Sequence, residues 1–475
     1  MKANRKARGF PRGERGNHMA IQYIKEELST PVRFTCDVLV AGGGTAGTIA
    51  AIAAARNGAS VILVERNSYL GGTLLDGAGP LHSYFNLYKA FPEAGKIQVV
   101  RGIASELVER MQAVGGSYGH LEQEMGYSYD SVATIIDREM YKEVIFDMME
   151  EAGVKLLLHT DVAAVIKNGD AVQGVIIESK SGREAILAKS VIDCTGDGDV
   201  AARAGVPFKK CHETTSVGFP FGMANVDLKR MEAFLEEKGI IYQIIHADKG
   251  VPGDDLVRIG FQLREMEEFR PFMEETGMWG PLTVARHPGE LSYINTANLR
   301  AVDGTDVEAL TEAEIKLRKQ AMTMARMLKK YIPGFEHAYV SWTINGVGVR
   351  YTRCIECEHD LSIDEILNGQ RFDDEIGLYG FHDSAPKMMI KDGKYYGIPY
   401  RCLLPKNVEN LLVAGRMITS DWDAHMSTRN TVSCMVQGQA AGTAAALAAA
   451  DGTTVRAVDV PKLQKTLREQ GVFLG

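Results

Sequence analysis

CDVLVAGGGTAGTIAAIAAARNGASVILVERNSYLGG, residues 36–72, runs strand, glycine turn, helix, second strand and terminal acid together without a break. Val38, Leu39 and Val40 make a short apolar run, the pattern of a strand covered on both faces in a parallel sheet. Gly42, Gly44 and Gly47 then supply GxGxxG. The first glycine permits a tight turn, the second lets backbone approach a pyrophosphate, and the third lets the helix from about Ala46 to Asn57 pack on the sheet. Val61 to Val64 read as the second strand. Glu65 follows Gly47 by 18 residues, where a carboxylate accepts both hydroxyls of an adenosine ribose and disfavours a 2′-phosphate. A glycine turn alone is weak evidence, but here strand, helix and acid complete the context of a dinucleotide site.

Residues 162–205, VAAVIKNGDAVQGVIIESKSGREAILAKSVIDCTGDGDVAARAG, separate FAD from NAD. Asn168-Gly169 and Ser181-Gly182 are hairpin-turn pairs between β-rich runs, which predicts a three-stranded antiparallel meander. An NAD domain would place another βαβ crossover there. The meander leads into a strand, Ser190 to Asp193, and then Cys194-Thr195-Gly196, whose small residues let backbone come close to a ligand.

This arrangement resembles the FAD domain of the glutathione-reductase-like, two-dinucleotide-binding-motif flavoproteins. The closer resemblance is to a bacterial FAD-dependent oxidoreductase family, carried by NLLVAGRMITSDWDAHMSTRNTVSCMVQGQAAGTAAALAAA (410–450), ERNSYLGGT (65–73), EEAGVKLLLHT (150–160), VIDCTGDGDVAARAGVPF (191–208) and IPYRCLLPKNVENLLVAGR (398–416). It covers about residues 33 to 450 and is weakest from 210 to 345, where a substrate-specific insertion is expected.

The resemblance implies an α/β architecture: a Rossmann-like FAD-binding domain, parallel sheet plus meander, with an inserted α+β substrate domain. The FAD domain is expected to be discontinuous, 33–205 plus 394–455, with 206–393 as the substrate domain, a basic leader at 1–32 and a tail helix in 456–475. Cofactor contacts carry over residue by residue. Gly42, Gly43, Gly44, Thr45, Ala46 and Gly47 are expected at the pyrophosphate, Glu65 and Arg66 at the adenosine ribose, and Gly71, Gly72 and Thr73 on the approach to ribityl and flavin. Arg138 stands where relatives set an arginine against the cofactor, Val162 where backbone meets adenine, and Cys194, Thr195 and Gly196 at the second close approach. Gly415-Arg416 occupies the place of a ribityl-holding Gly-Asp; the missing aspartate weighs against an aromatic-hydroxylase type of monooxygenase. A helix beginning near Gln437-Gly438 is expected to aim its positive end at the flavin, with Gly438 and Gly442 allowing it close.

Composition agrees. A chain of 475 residues, 45% hydrophobic, can bury a core large enough for two or three domains. A net charge of -8 gives no reason to expect nucleic-acid binding. Seven scattered cysteines suit reduced thiols in a cytoplasmic protein better than a disulfide framework. The basic first 18 residues lack the apolar region of a secretory signal and read as a disordered leader, with Met19 a plausible start. The apolar segment from Met435 to Ala450 is shorter than the ~20 residues a membrane span needs.

Periodicity supplies the helices. Ile103, Leu107, Val108 and Met111 share one face, as do Met140, Val144, Ile145 and Met148, the second helix ending at a Gly153 C-cap. Thr311 with Glu314 predicts a capping box opening a long helix that stops at Pro333-Gly334.

Flavin chemistry also calls for a residue that moves a proton on the substrate side. His382, His425 and Arg429 are the candidates, with His82 and Tyr84 behind them. A histidine passes protons near neutrality, and Arg429 suits a substrate carboxylate or enolate. Each histidine has the competing use of a packed, hydrogen-bonded core residue. Cys354 and Cys357 suggest a metal site or redox pair only weakly, since no second CxxC completes a zinc set and the segment reads as a strand; structural cysteines are expected. Tyr379, Phe381, Tyr395, Tyr396 and Tyr400 serve core packing or wall a pocket. The leading expectation is hydride transfer between flavin N5 and a small organic substrate, coupled to an electron donor or acceptor the sequence does not name. A flavin monooxygenase and a non-catalytic flavin-binding protein are the alternatives.

Overall fold

Val38 to Ala41 have no exposed surface and Ile49 to Ala54 at most 1%, the two-sided burial that the apolar run implies. The computed structural model describes residues 23–75, 81–83, 97–125, 132–210, 216–384 and 387–475; most of the basic leader, and Tyr84, lie outside them. Strand Val32–Ala41 pairs in parallel with Val61–Val64 on one side and Gly182–Asp193 on the other. Lys155–Leu157 extends the sheet beyond Val61–Val64, and Leu411–Val413 pairs in parallel with residues 191–193. Asp161–Asn168 and Ala171–Ser179 complete seven strands as the antiparallel meander.

The meander is present with its turns displaced by one residue, its two-residue loops being Gly169-Asp170 and Lys180-Ser181. The strand expected at Ser190–Asp193 is the end of a longer one that begins as the meander's last strand. Gly182–Asp193 is one strand in three ladders, parallel with Val32–Ala41 on one side and, on the other, antiparallel with Ala171–Ser179 along residues 182–187 and parallel with Leu411–Val413 at its end.

Helix Thr45–Arg56 packs on helix Thr431–Asp451 through glycines. A Cβ at Gly438 would lie 2.2 Å from the Ala46 carbonyl oxygen, and one at Gly442 would lie 2.1 Å from that of Ala50. These i, i+4 glycines therefore bring helix to helix. This corrects two expectations: the long helix begins at Thr431 with Asn430 as N-cap, a turn and a half before Gln437-Gly438, and its glycines face the first helix. The faces predicted for Ile103–Ala113 and Arg138–Ala152 are buried apart from the half-buried Met140, and Gly153 takes the left-handed C-cap conformation.

The middle of the chain forms a six-stranded antiparallel sheet ordered Ile241–His246, Leu256–Phe261, Leu282–Val284, Glu290–Asn295, Phe221–Ala224, Tyr339–Thr343. Its core, including Phe221, Ile259, Phe261 and Ile294, buries one face of helix Val307–Tyr331 through Leu317, Ala321, Met324 and Leu328. That helix starts earlier than its expected capping box. Asp306 accepts from the backbone N–H groups of Glu308 and Ala309, so the helix is already capped a turn before Thr311. Glu314 instead accepts from the Val347 N–H at 2.6 Å.

Residues 355–390, expected in the substrate domain, put Ile355, Leu361, Ile376, Tyr379 and Ile390 into the core of the parallel-sheet unit. Strands Glu375–Tyr379 and Tyr396–Pro399 pair antiparallel there. Gly377 sits against Val436 of the long helix. The tail contains helix Val460–Glu469, capped by Asp459, burying Leu463 and Leu467. Among the described residues no helix is long and apolar enough to cross a membrane.

Candidate functional site

The glycine turn, the CTGD turn and the start of the long helix share one cavity of about 980 Å³ with the antiparallel sheet. On the parallel-sheet side Gly42, Gly44, Thr45, Ala46, Glu65, Arg66, Gly72, Thr73, Cys194, Thr195, Gly196, Gly415, Arg416 and Arg429 line it, so fourteen of the residues read from sequence converge.

Local physics explains why these turns remain open. Gly42 has φ +100°, and a Cβ there would lie 2.5 Å from the Cys194 carbonyl oxygen; one at Gly47 would strike the Gly42 carbonyl. Gly44 meets nothing within 4 Å and faces free space. No side chain caps the N-terminus of Thr45–Arg56 or of Thr431–Asp451. Both open on this cavity, through Gly44 to Ala46 and through Asn430, Thr431 and Cys434. Two helix ends that no side chain caps, each with its positive dipole end, are suited to a pyrophosphate and to a site of developing negative charge.

Glu65 is buried beside the turn, one oxygen accepting from the Gly43 N–H at 2.7 Å, the other from the N–H and side chain of Asn67 at 2.8 and 2.7 Å. Asp193, fully buried, accepts from Thr195 N–H and hydroxyl and from Ala201 N–H, which fixes the Cys194-Thr195-Gly196 turn. Burial pushes its pKa above the usual carboxylate range despite those bonds. Arg416 pairs with Asp197 at 2.5 Å, Asp197 also accepting from Thr352 at 2.7 Å. The carboxylate absent after Gly415 thus arrives from the CTGD turn. Arg429 pairs with Asp383, and the Nε atoms of Arg416 and Arg429 are buried without a hydrogen-bond partner. The open turn, the two uncapped helix ends and these orphaned donors fit an anionic dinucleotide such as FAD.

Other expected site residues lie elsewhere. Arg138 donates to the Leu75 carbonyl at 3.0 Å and its guanidinium covers Trp342 at 3.6 Å, outside the cavity lining. Val162 lies on the meander's edge strand, paired with Ile177. Gly43 and Gly71 hold the turn through the Gly71 N–H to Gly43 carbonyl bond of 2.8 Å. Gln437 accepts from Gly415 N–H at 2.8 Å and donates to the Thr428 carbonyl at 2.9 Å, so it positions the Gly415-Arg416 turn.

Neither histidine faces the cavity; among the described residues no histidine lines it. His382 donates from Nε2 to the Asp423 carbonyl at 2.7 Å and accepts at Nδ1 from the Ser384 N–H at 3.0 Å, which uses both nitrogens. His425 is fully buried under Trp422 and Tyr351 and donates to the Arg350 carbonyl at 3.1 Å. Burial holds its ring neutral, far below the ordinary histidine range, and Arg429 adds to this. His82 lies on strand Leu81–Ser83, its side chain outside the described residues.

Cys354 and Cys357 are buried, free thiols, burial pushing the former up to about 12 and the latter well above the usual range. Among the described residues no group of three or more metal-ligating side chains converges. Tyr379, Phe381, Tyr396 and Tyr400 are core residues, Tyr396 bonded to Ser427 and Tyr400 donating to the Val455 carbonyl. The aromatic wall of the cavity consists instead of Tyr242, Trp279, Tyr293 and Trp422. Three of these come from strands and loops of the antiparallel sheet unit, and no local motif marks them.

Digeranylgeranylglycerophospholipid reductase of Methanoculleus marisnigri is 28% identical over 173 residues, 36% of this chain and 41% of that protein. A flavin-dependent halogenase of Metacordyceps chlamydosporia is 31% identical over 135 residues, 28% of this chain and 24% of that protein. The chain thus spans less than half the length of either relative. A geranylgeranyl bacteriochlorophyll reductase-like protein from Thermoplasma acidophilum has a similar structure, with TM-score 0.49, 13% identity, and coverage of 92% of this chain and 83% of that one. The family described as FAD dependent oxidoreductase matches residues 37–467, nearly the whole chain, which therefore belongs to it.

Proposed function

We propose that the chain carries out hydride transfer between FAD and a small organic substrate, as a dehydrogenase or a C=C reductase. The observation supporting this is the single cavity that joins an open dinucleotide turn, two uncapped helix N-termini and an aromatic sheet face. Bound FAD supplies two-electron chemistry at the flavin. Gly42 to Ala46 would hold its pyrophosphate, Glu65 its ribose, and the Arg416–Asp197 pair the ribityl side, while the N-terminus at Asn430-Thr431 offers positive potential where charge collects.

With His382 and His425 committed to backbone, the chain's part in the reaction is to position, exclude water and balance charge. Tyr242 and Tyr293 remain phenols, burial pushing Tyr242 up to about 12 and Tyr293 higher still, so each can donate a hydrogen bond to substrate at any physiological pH. Cys434, its thiol pushed up to about 12 by burial, offers no thiolate nucleophile.

The test is an absorbance spectrum of the purified protein before and after acid release of the flavin, then anaerobic titration with alcohols, amines, 2-hydroxy acids, cyclic ketones and NAD(P)H. Flavin bands near ~375 and ~450 nm, bleached by one donor class without oxygen, support the reading. Flavin that no donor bleaches, and that turns over only with oxygen and substrate together, replaces it with a monooxygenase.

A further inference from the structure

Resting on the hydride transfer proposed above, we infer that the antiparallel-sheet side of the cavity binds a neutral ring with several hydroxyl groups, a sugar or cyclitol, one of whose secondary alcohols is the group oxidised. Three uncharged polar side chains carry the inference: Tyr242, Tyr293 and Asn295. All three line the cavity. Tyr293 is 1% exposed, and neither its hydroxyl nor that of Tyr242 makes a hydrogen bond among the described residues. The Oδ1 atom of Asn295 is buried and has no partner. Buried polar atoms are costly to leave unpaired, so three that line one cavity describe the hydrogen bonds of what enters it.

Strand register puts the three on one face. Gly260 pairs with Leu282 and Leu282 with Asn295, and Tyr293 stands two residues before Asn295 on the same strand, hence on the same side of the sheet. Tyr242 reaches that side through a bulge: Ile241 pairs with Phe261 and Gln243 with Gly260, which leaves Tyr242 as the extra residue. Its ring lies over Gly260, where a Cβ would come within 2.7 Å of it. Trp279 adds a second aromatic surface. The arginines that flank the patch are held by protein oxygens, Arg264 donating to the Met278 carbonyl at 2.6 Å and Arg350 to the Ser216 hydroxyl at 2.7 Å.

Two phenols offer hydrogens and one amide oxygen takes one, a demand that hydroxyl groups meet because each both donates and accepts. A carboxylate has no hydrogen for the Asn295 oxygen, and an alkyl chain would leave all three atoms unpaired. A phenol would satisfy them too, but its hydroxyl-bearing carbon carries no hydrogen to transfer. In a sugar or cyclitol that carbon does. The CH–OH group loses a hydride from carbon to the oxidised flavin and a proton from oxygen to solvent, which reaches the cavity at the exposed Gln262 and Arg300, and becomes a ketone. Aromatic faces suit the C–H side of such a ring, and a few placed polar groups its hydroxyl edge.

The experiment uses FAD-loaded protein and non-reducing probes: myo-inositol and the methyl glycosides of glucose, galactose and mannose, against cyclohexanol and the methyl glycoside of glucuronate. Binding is read by calorimetry, oxidation by anaerobic bleaching of the flavin, and flavin content by absorbance in the same samples. At least one neutral polyol should bleach the flavin and bind roughly ten-fold or more tightly than cyclohexanol, which has one hydroxyl, and than the glucuronide, which carries a charge. Tyr293→Phe and Asn295→Leu should each reduce that preference roughly ten-fold and keep the flavin. Because the Tyr293 hydroxyl bonds to no described residue, Tyr293→Phe should melt at the parent's temperature; a fall of several degrees means that the hydroxyl is bonded within the protein and overturns the assignment. Flavin bleached by another donor class and by none of the polyols, or cyclohexanol or the glucuronide bound as tightly as any polyol, overturns this proposal and leaves the proposed function standing. Flavin that no donor bleaches overturns both.

Discussion

Arg416 stands where a carboxylate was expected, and Asp197 supplies the carboxylate from 219 residues earlier in the chain. Hydrogen bonds to charged groups contribute about 1.5–3 kcal/mol each. Asp197→Ala, which leaves Arg416 without its counter-charge, should therefore weaken FAD retention by roughly ten-fold or more, read as the flavin-to-protein ratio after dialysis. His382 tests the opposite kind of role. Its two backbone bonds tie the loop at Ser384 to helix Trp422–Thr428. His382→Ala should lower stability by about 1–3 kcal/mol and leave the pH profile of turnover unchanged; a lost ionisation in that profile would restore it as a proton carrier. The glycines at 42, 44 and 47 and Glu65 were legible because a turn that must approach a phosphate restricts residue type locally. The role of His382 was not legible: a ring that donates to one backbone carbonyl and accepts from one backbone N–H leaves no mark in its own neighbourhood of sequence.

Two elements show where local signals carry the argument and where they fail. Helix Val307–Tyr331 was expected from a capping box and a Pro333-Gly334 stop, but its start was misread, because Thr311-x-x-Glu314 has the form of a capping box while Asp306 already satisfies the first N–H groups. Asp306→Ala should cost about 1 kcal/mol, and Thr311→Ala much less, in denaturant melts followed by circular dichroism. For helix Thr431–Asp451, buried nearly all round, there is no polar face to orient it. Its partner was consequently misassigned from sequence. Gly438→Ala inserts a methyl against the Ala46 carbonyl, and overpacking of that kind costs typically 1–3 kcal/mol. Because Ala46 also lines the cavity, the variant should lose flavin together with stability.

Across the whole molecule, two histidines join the hairpin Ser117–Glu122/Val132–Ile136 region to the antiparallel sheet. His287 meets Asp137 at 2.5 Å, and His246 lies between Glu124 at 3.0 Å and Glu232 at 2.9 Å. The Asp137 carboxylate raises His287 above its ordinary value; for His246 burial pulls downward, but the two glutamates more than offset it. Groups raised in the folded state contribute stability that is complete below about pH 6.5 and fades as pH climbs through the raised values. Asp137 is held down to about 2, burial being outweighed by His287 and two backbone N–H groups, so its contribution is constant through that window. Melting temperature should therefore fall between pH 6 and pH 9, and His246→Gln with His287→Gln should flatten the curve. The aromatic cavity wall escaped the sequence for a reason that also belongs to this scale: Tyr242, Trp279 and Tyr293 become neighbours only when the sheet forms. The strand shared by three ladders has a consequence for synthesis. Residues 191–193 acquire their parallel neighbour only when residues 411–413 leave the ribosome, about 220 residues later. At 5–20 residues per second that leaves a bare β-edge for roughly 10–40 s, beside a first helix whose glycine-matched companion is later still. A nascent chain stalled near residue 400 should recruit chaperones, and one extended past residue 451 should release them.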